Sequence, residues 1–270
     1  MESRSEIDAR LESAVEFARE AGRSTLEFFR RQGLPVERKS DDSPVTAADR
    51  SAEQLLRALI SAQYPRDSIL GEEFGAVDGT SGYQWVLDPI DGTKSFIHGV
   101  PLYTTLVGIL AEGEPQIGVI YAPACGELVY AAIGGGCWHV DERFGPAEPR
   151  PARVSEIANL RESLVLTSEI ASFQKCRQPD ASQVYAELQR TARLARTWGD
   201  GFGYLLVATG RAEVMIDPVM NLWDMAALLP VVEEAGGQFL DWNGQRTIQS
   251  ADSLATNGLV TDAVMAIVGR

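Results

Sequence analysis

Two aspartates, Asp88 and Asp91, follow directly on the short apolar run Trp85-Val-Leu. Such a run predicts a strand, and the proline after the first aspartate favours an extended backbone. We expect both carboxylates to converge just beyond the strand end, where Gly92 and Thr93 begin a turn whose N–H groups can bind an anion. Carboxylates beside an anion require a cation between them, and oxygen ligands select Mg²⁺ or Mn²⁺. The alternative is that both aspartates only form turns.

Three acidic residues elsewhere in the chain bear on this site, and two of them, Glu72 and Asp224, are candidates to complete a metal-binding cluster. Glu72 follows a short apolar stretch, Asp224 opens a predicted helix, and Asp49 lies in the first turn of another. Each has a structural alternative: a solvated surface acid for Glu72, a helix cap for Asp224, and a complement to the helix dipole for Asp49. Spacing alone does not bring these positions together.

Two helices are predicted in the first part of the chain. Apolar residues recur at three- and four-residue spacing from Leu11 to Phe29, and Gly33 and Pro35 end that helix. Thr46 is the expected N-cap of the second helix, with Asp49 three residues later as its capping-box partner.

The middle of the chain is predicted to form an antiparallel meander, because short turns separate the apolar runs Tyr103–Leu110, Gln116–Tyr121 and Glu127–Ala132.

The charged, proline-containing segment 145–151 predicts a flexible connection. Pro230 predicts a kink or broken turn in the last helix. The alternation favours layered sheets and helices over a purely parallel sheet. The elements predicted after the connection are a strand at 164–167, helices at 181–191 and 201–209, a strand at 212–216 and a helix at 223–235.

The composition is that of a soluble globular protein. The 270 residues include 45% hydrophobic and 23% charged residues, which excludes a disordered chain, a collagen-like repeat and a coiled coil. A net charge of −14 disfavours nucleic acid and anionic membranes as partners. The three cysteines (Cys125, Cys137 and Cys176) have no metal-ligand spacing, and no apolar leader opens the sequence. We therefore expect reduced thiols and a cytoplasmic protein.

The sequence resembles the inositol monophosphatase superfamily of Mg²⁺-dependent, lithium-sensitive phosphatases. The similarity runs from the first helix to the end of the chain, and the motifs match in order. These motifs are Gly71-Glu-Glu73, Asp88-Pro-Ile-Asp-Gly-Thr93, Trp223-Asp224 and Glu234-Ala-Gly-Gly237. Within the superfamily the chain is most similar to the histidinol-phosphate phosphatase branch. The stretches that carry this second similarity are Lys94–Leu102, Arg196–Asp200, Leu206–Val214 and Asp217–Asn221.

The resemblance implies an α/β fold of the α+β type. We expect the layered α/β/α/β sandwich of the inositol monophosphatase and sugar phosphatase type, with mixed and antiparallel sheets. Residues 1–270 then form one domain with two approximate sub-lobes. The first, 1–150, carries the metal and phosphate motifs, and the second, 151–270, selects the substrate. The resemblance also implies a homodimer.

The resemblance implies a site for two or three Mg²⁺ ions, with Mn²⁺ as a substitute. The implied metal ligands are Glu72, Asp88, Asp91, Asp224 and the carbonyl of Ile90. Paired divalent ions can stabilise both the attacking and the leaving oxygen of a phosphoryl transfer. The Thr93 hydroxyl, with Asp49 or Glu72, would orient a metal-bound water for in-line attack, so no covalent phosphoenzyme is expected.

Substrate contacts are also implied by the resemblance. The N–H groups of Gly92 and Thr93 would hold the phosphate, and Asp217 matches the position that contacts the polyol in inositol phosphatases. Asp200 stands where those enzymes often carry a small residue. A carboxylate there suits the amine of histidinol phosphate, although Asp200 is equally consistent with a loop residue or helix cap. Arg196 contacts phosphate, braces Asp217, or is an ordinary surface arginine.

The expected function is Mg²⁺-dependent hydrolysis of L-histidinol phosphate, a small phosphorylated metabolite of histidine biosynthesis. The nearest alternative is an inositol-1-monophosphatase or a broad small-molecule phosphatase of the same superfamily. An aspartyl-phosphate phosphatase would need Asp-x-Asp, whereas this chain has Asp-x-x-Asp. A non-catalytic, metal-dependent phosphate-ligand binding protein is less favoured, because every implied ligand position keeps its carboxylate.

Overall fold

The computed structural model describes residues 4–33, 35–38, 44–175 and 180–269, which form nine α-helices and fifteen strands. The helices are α1 Arg4–Thr25, α2 Ala47–Gln63, α3 Thr93–Ile97, α4 Ser172–Lys175, α5 Ser182–Thr191, α6 Asp200–Ala208, α7 Leu222–Met225, α8 Leu228–Glu234 and α9 Thr261–Val268. The strands are β1 Val36–Arg38, β2 Pro44–Thr46, β3 Ser68–Gly71, β4 Gly75–Val77, β5 Tyr83–Asp91, β6 Thr104–Ala111, β7 Glu114–Ala122, β8 Glu127–Ala132, β9 Cys137–Asp141, β10 Arg150–Pro151, β11 Leu164–Leu166, β12 Leu194–Arg196, β13 Val214–Asp217, β14 Gln238–Leu240 and β15 Ser253–Thr256.

The larger sheet has eight strands in the order β10-β9-β8-β7-β6-β5-β3-β4. Strands β3 and β5 pair in parallel, and the other neighbours pair antiparallel. Strands β6, β7 and β8 confirm the predicted meander. Helices α1 and α2 pack on one face of this sheet through apolar side chains such as Phe17, whose ring lies 5.8 Å from that of Trp85.

The smaller sheet has five strands in the order β12-β11-β13-β15-β14. Helices α6 and α8 lie between the two sheets, where Leu205 and Val231 share one core with Leu106 and Met215. Helices α4, α5 and α9 cover the outer face of the smaller sheet. The predicted layered sandwich of mixed and antiparallel sheets is therefore confirmed, and these last helices add a fifth layer.

The first helix ends earlier than its apolar pattern predicts. After Thr25 most backbone hydrogen bonds join residues three positions apart instead of four, such as the bond from Phe28 N to the Thr25 carbonyl at 3.0 Å. Leu26 is left 39% exposed, whereas Phe29 packs against Tyr103, with 5.2 Å between the centres of the two rings. The last apolar residues of the pattern thus belong to a turn that packs beside the end of α3, where the ring of Phe29 lies 5.6 Å from that of Phe96.

The predicted helix at 223–235 is two helices, α7 and α8, with a break at Ala226 and Ala227. Pro230 has no N–H to donate to the carbonyl one turn earlier, so the break lies one turn before the proline. The backbone at the break packs closely on the larger sheet, since a side chain at Gly118 would overlap the Ala227 carbonyl oxygen. This fixes the short helix α7 against the sheet.

A buried ion pair joins α1 to the larger sheet. Arg10 donates from Nε and Nη2 to the two oxygens of Asp67, each at 2.9 Å. Ser81 Oγ and Trp85 Nε1 donate to the same carboxylate at 2.6 and 2.9 Å. Burial raises the pKa of Asp67, but these hydrogen bonds outweigh it and lower the pKa.

Asp67→Asn is expected to lower the free energy of unfolding by about 3 kcal/mol at pH 7, because Arg10 is left buried without a charged partner. Urea denaturation measures this. Because folding lowers the pKa, the carboxylate stabilises the fold above its unfolded pKa of about 4 and loses this contribution as pH falls through the folded value. The gap between variant and wild type should therefore close in acid. A loss below about 1 kcal/mol at pH 7, the range of exposed ion pairs, would contradict this expectation.

Candidate metal and phosphate site

Carboxylate oxygens of Asp88, Asp91 and Asp224 lie within 4.8 Å of one another. The sequence placed the strand end at Asp88, but β5 continues through Asp91. Side chains three residues apart on a regular strand point to opposite faces. The register of β5 against β6 shifts between Asp88 and Asp91, and this irregularity allows both carboxylates to reach the same point.

Backbone and hydroxyl donors hold the cluster in place. Asp88 Oδ1 accepts from the N–H of Ile90 at 3.1 Å. Asp91 Oδ2 accepts a short hydrogen bond from the N–H of Gly201, in the first turn of α6. Asp224 Oδ2 accepts from the backbone N–H of Asn221 at 2.7 Å, which forms a capping box for α7. The cap alternative for Asp224 and its place in the cluster are therefore both realised.

Glu72 completes the group of four predicted carboxylates. It follows β3, and its N–H donates to the Leu87 carbonyl at 3.2 Å. Burial raises the pKa of Asp88 well above its ordinary value, and the charges of Glu72, Asp91 and Asp224 raise it further. The structure thus brings the four carboxylates together, and their role as metal ligands remains a prediction.

The electrostatics of the cluster fit a divalent cation. Burial raises the pKa of Asp91 well above its ordinary value, with the charges of Asp200 and Asp224 adding to the shift. Burial likewise raises the pKa of Asp224 to about 7. The carboxylates repel one another when ionised, so a bound cation would relieve a real cost. An oxygen-only donor set fits a hard ion such as Mg²⁺ or Mn²⁺.

Thr93 lies at the edge of the cluster and contacts Asp49. Its Oγ1 is 3.1 Å from the Ile90 carbonyl oxygen and 3.5 Å from Asp49 Oδ1. The second oxygen of Asp49 accepts from the N–H and Oγ1 of Thr46 at 2.8 and 2.7 Å, which confirms the predicted capping box of α2. The contact with Thr93 thus involves Asp49, one of the two carboxylates that the resemblance offered to it.

Asp200 and Asp217 meet beside the cluster through Ser168, which sequence reasoning missed. Ser168 Oγ accepts from the N–H of Asp200 at 2.8 Å and donates to Asp217 Oδ2 at 3.0 Å. The Asp200 carboxylate lies against Gly92, where a side chain would overlap it. Burial raises the pKa of Asp200 to about 6, and the charge of Asp217 adds to the shift. The only hint in the sequence was that Ser168 follows a predicted strand.

Arg196 does not brace Asp217, contrary to one of our alternatives. It lies on the edge strand β12 with its side chain exposed, and Nη1 donates to the Ala195 carbonyl at 2.8 Å. The described residues that hydrogen-bond Asp217 are Thr167, Ser168 and Tyr204. Their hydroxyl groups supply the support that this one alternative gave to Arg196, and a phosphate contact of Arg196 remains a prediction.

A pocket of about 430 Å³ opens over these groups. It is lined by Glu72, Gly92, Thr93, Ser168, Asp200 and Asp217, among others. Its volume and mixed polar lining suit a small phosphorylated molecule. Two further lining residues that the sequence did not single out for the site, Lys94 and Glu169, form an ion pair at its mouth.

The model of the Inositol monophosphatase family matches residues 6–268. The chain belongs to this family. A histidinol-phosphatase from Chlorobaculum parvum is 43% identical over 95% of this chain and 96% of its own length. A histidinol-phosphatase from Mycobacterium tuberculosis is 36% identical over 93% of this chain and 95% of its own. The solved structure of an inositol monophosphatase from Thermotoga maritima superimposes with a TM-score of 0.85 at 28% identity, covering 97% of both chains.

Membership of the family confirms the predicted reaction class, phosphoric monoester hydrolysis, and its dependence on a metal ion. Among the described residues, no helix has the length and apolar character to cross a membrane. Cys125 and Cys137 are free thiols, and Cys176 lies outside the described residues.

Metal binding is expected to stabilise the protein more at pH 8 than at pH 6. Folding raises the pKa of Asp200 to about 6 and that of Asp224 to about 7. Because folding raises these carboxylate pKa values, the free energy of unfolding falls as the pH rises from the pKa of the unfolded state to that of the folded state. A bound metal ion removes this loss, because it takes the place of the protons. Melting temperatures in EDTA and in excess Mg²⁺ should therefore diverge between pH 6 and pH 8. Parallel curves over that range would contradict the expectation.

Proposed function

We propose that the protein is a Mg²⁺-dependent phosphomonoesterase that hydrolyses L-histidinol phosphate to L-histidinol and phosphate, a step of histidine biosynthesis. The observation that carries this proposal is the pair Asp200 and Asp217, two carboxylates inside the pocket beside the metal cluster. An anionic pocket wall suits a substrate that bears an amine as well as a phosphate. The histidinol-phosphatases described above support the same assignment.

In the proposed mechanism, Glu72, Asp88, Asp91, Asp224 and the carbonyl of Ile90 hold two or three Mg²⁺ ions, with Mn²⁺ as a substitute. Bound ions of this kind neutralise phosphoryl oxygens and lower the pKa of a water molecule. The N–H groups of the segment at 92–93 orient the phosphate.

The protein's own part in the attack belongs to Thr93 and Asp49. When the Thr93 hydroxyl donates to Asp49 Oδ1, its lone pairs are free to accept a hydrogen bond from the attacking water. Asp49 is 2% exposed and held by Thr46, so the hydroxyl is orientated before the substrate binds. Such a fixed acceptor aligns the water for in-line attack on phosphorus.

Asp200 is proposed to recognise the amine of the substrate. Its φ of 54° lies in the left-handed region, which asparagine and aspartate tolerate better than most residues. Asp200→Asn therefore keeps the backbone and removes the charge. We expect it to lower kcat/KM for histidinol phosphate about tenfold or more, the usual cost of losing a hydrogen bond to a charged group. An equal loss for inositol-1-phosphate would count against amine recognition.

Side-by-side kinetics on histidinol phosphate and inositol-1-phosphate test the proposal, with Mg²⁺ present and absent. A strong preference for histidinol phosphate is expected. Comparable turnover, or preference for inositol phosphate, would favour the second candidate, an inositol-1-monophosphatase or broad phosphatase. The similarity in fold to the Thermotoga maritima protein favours that candidate. Binding of either phosphoester with Mg²⁺ but without turnover would indicate a non-catalytic binding protein.

We further propose a homodimer, from the family resemblance, and a cytoplasmic location, from the unpatterned cysteines. Light scattering of the purified protein tests the first of these. Cell fractionation tests the second.

A further inference from the structure

An ion pair spans the mouth of the pocket. Nζ of Lys94 lies 2.5 Å from Oε2 of Glu169. Lys94 belongs to α3 and directly follows Thr93, whereas Glu169 follows Ser168 beyond the end of β11. The pair therefore connects the part of the chain that carries the metal motif to the part that carries Asp200 and Asp217.

Lys94 has a special place in the charge distribution of the pocket. It is the one lysine or arginine among the described lining residues. The lining carboxylates are Glu72, Glu169, Asp200 and Asp217. Lys94 is therefore the lining side chain whose charge attracts a phosphate dianion. Its long, flexible stem lets the ammonium group change partners.

Glu169 and Asp217 lie at different depths. The side chain of Glu169 is 46% exposed and that of Lys94 is 69% exposed, whereas Asp217 is 3% exposed. The ion pair thus lies at the mouth and Asp217 at the floor. An exposed pair of this kind contributes little to stability, so it can separate at small cost.

We propose that the substrate exchanges this ion pair: Lys94 turns to the phosphate, and Glu169 accepts a hydrogen bond from the imidazole N–H at the far end of the substrate. The inference rests on the proposed function. In histidinol phosphate the amine is on the carbon next to the phosphorylated methylene, and the ring is attached one carbon further out. With the phosphate at the cluster and the amine at Asp200, the ring points toward the mouth, where Glu169 lies.

The test compares L-histidinol phosphate with 2-aminopropyl phosphate, which keeps the phosphate and the amine but lacks the ring. The Mg²⁺-loaded, full-length protein is assayed as wild type, Glu169→Gln, Lys94→Gln and the double variant. In Glu169→Gln the ratio of kcat/KM between the two compounds should fall about tenfold, the loss of one charge-assisted hydrogen bond. Lys94→Gln should lower kcat/KM about tenfold for both compounds, since both carry phosphate. The double variant should show both losses, because they concern different ends of the substrate.

A ratio in Glu169→Gln that stays within about threefold of wild type overturns the inference. The inference is also overturned if kcat/KM falls by the same factor for both compounds, and by that same factor in both single variants and in the double variant. That result is expected of a purely structural ion pair. Glu187→Gln is the matched control: it removes an exposed ion pair with Arg190 on α5, outside the pocket. Failure of the proposed function gives a different result, in which the wild type hydrolyses inositol-1-phosphate but neither test compound, and that overturns both proposals.

Discussion

Asp91→Asn is expected to lower kcat by at least about a thousandfold, which corresponds to about 4 kcal/mol of transition-state stabilisation. The reason lies in the position of Asp91 within the cluster. A carboxylate oxygen of Asp91 lies within 4.8 Å of carboxylate oxygens of Asp88 and Asp224, so the variant removes one negative charge from the proposed metal site. Phosphate release from histidinol phosphate in saturating Mg²⁺ measures the loss.

The same variant is expected to keep its fold. Asparagine retains an oxygen that accepts from the Gly201 N–H and from Thr104 Oγ1, the two donors now bound to Asp91. It also removes a buried charge that its neighbours repel. In EDTA the melting temperature of the variant should therefore equal or exceed that of wild type. The rise in melting temperature on adding Mg²⁺ should be smaller in the variant than in wild type.

Asp141→Asn is a matched control, because Asp141, the last residue of β9, pairs with the exposed Arg143 outside the pocket. It should leave both kcat and the Mg²⁺-dependent stabilisation unchanged. If Asp91→Asn kept more than about a tenth of the wild-type rate, well within the range of indirect effects on a metal site, Asp91 would not be a metal ligand.

Local patterns were sufficient to predict elements whose signals lie within one segment. The meander follows from alternating apolar runs and short turns, and the capping box of α2 follows from Thr46 and Asp49. The end of α1 was wrong because Phe29 packs on Tyr103, a contact 74 residues away that periodicity does not contain. The extension of β5 to Asp91 depends on its pairing with β6, which is also a tertiary property.

The site was predictable in the same uneven way. Asp88 and Asp91 are three residues apart, and their convergence was predicted from strand and turn signals, whereas the register shift in β5 that allows it was not. The approach of Glu72 and Asp224 came only through the family resemblance, since packing between distant elements places them. Ser168 gave only the weak signal of following a predicted strand, and the Lys94–Glu169 ion pair gave none, because isolated polar residues in loops and short helices are common on any surface.

Asp49 and Asp224 explain why the structural and functional alternatives were hard to separate. Each is the third residue of a helix, and each uses an oxygen to complete a capping box. The cap fixes the carboxylate without consuming its second oxygen. A helix start thus supplies a rigid acid to the site, so the two explanations are compatible.

Thr93→Ala is expected to lower kcat about a hundredfold or more, within the range of lost proton-transfer and water-positioning groups, and to change KM little. Its hydroxyl lies between the Ile90 carbonyl oxygen and Asp49 Oδ1. Without that hydroxyl, the attacking water loses a fixed acceptor, while the phosphate keeps its contacts with the backbone N–H groups. Steady-state kinetics on histidinol phosphate separate the two parameters.

Thr93→Ser separates the hydroxyl from the methyl group of the same side chain. Serine keeps the oxygen that can donate to Asp49, so it should retain kcat within about threefold of wild type, a change below 1 kcal/mol. Equal losses in the alanine and serine variants would mean that the threonine methyl group, by its packing, carries the effect. A rise in KM with kcat unchanged would instead move Thr93 from water positioning to substrate binding, because uniform binding then accounts for its contribution.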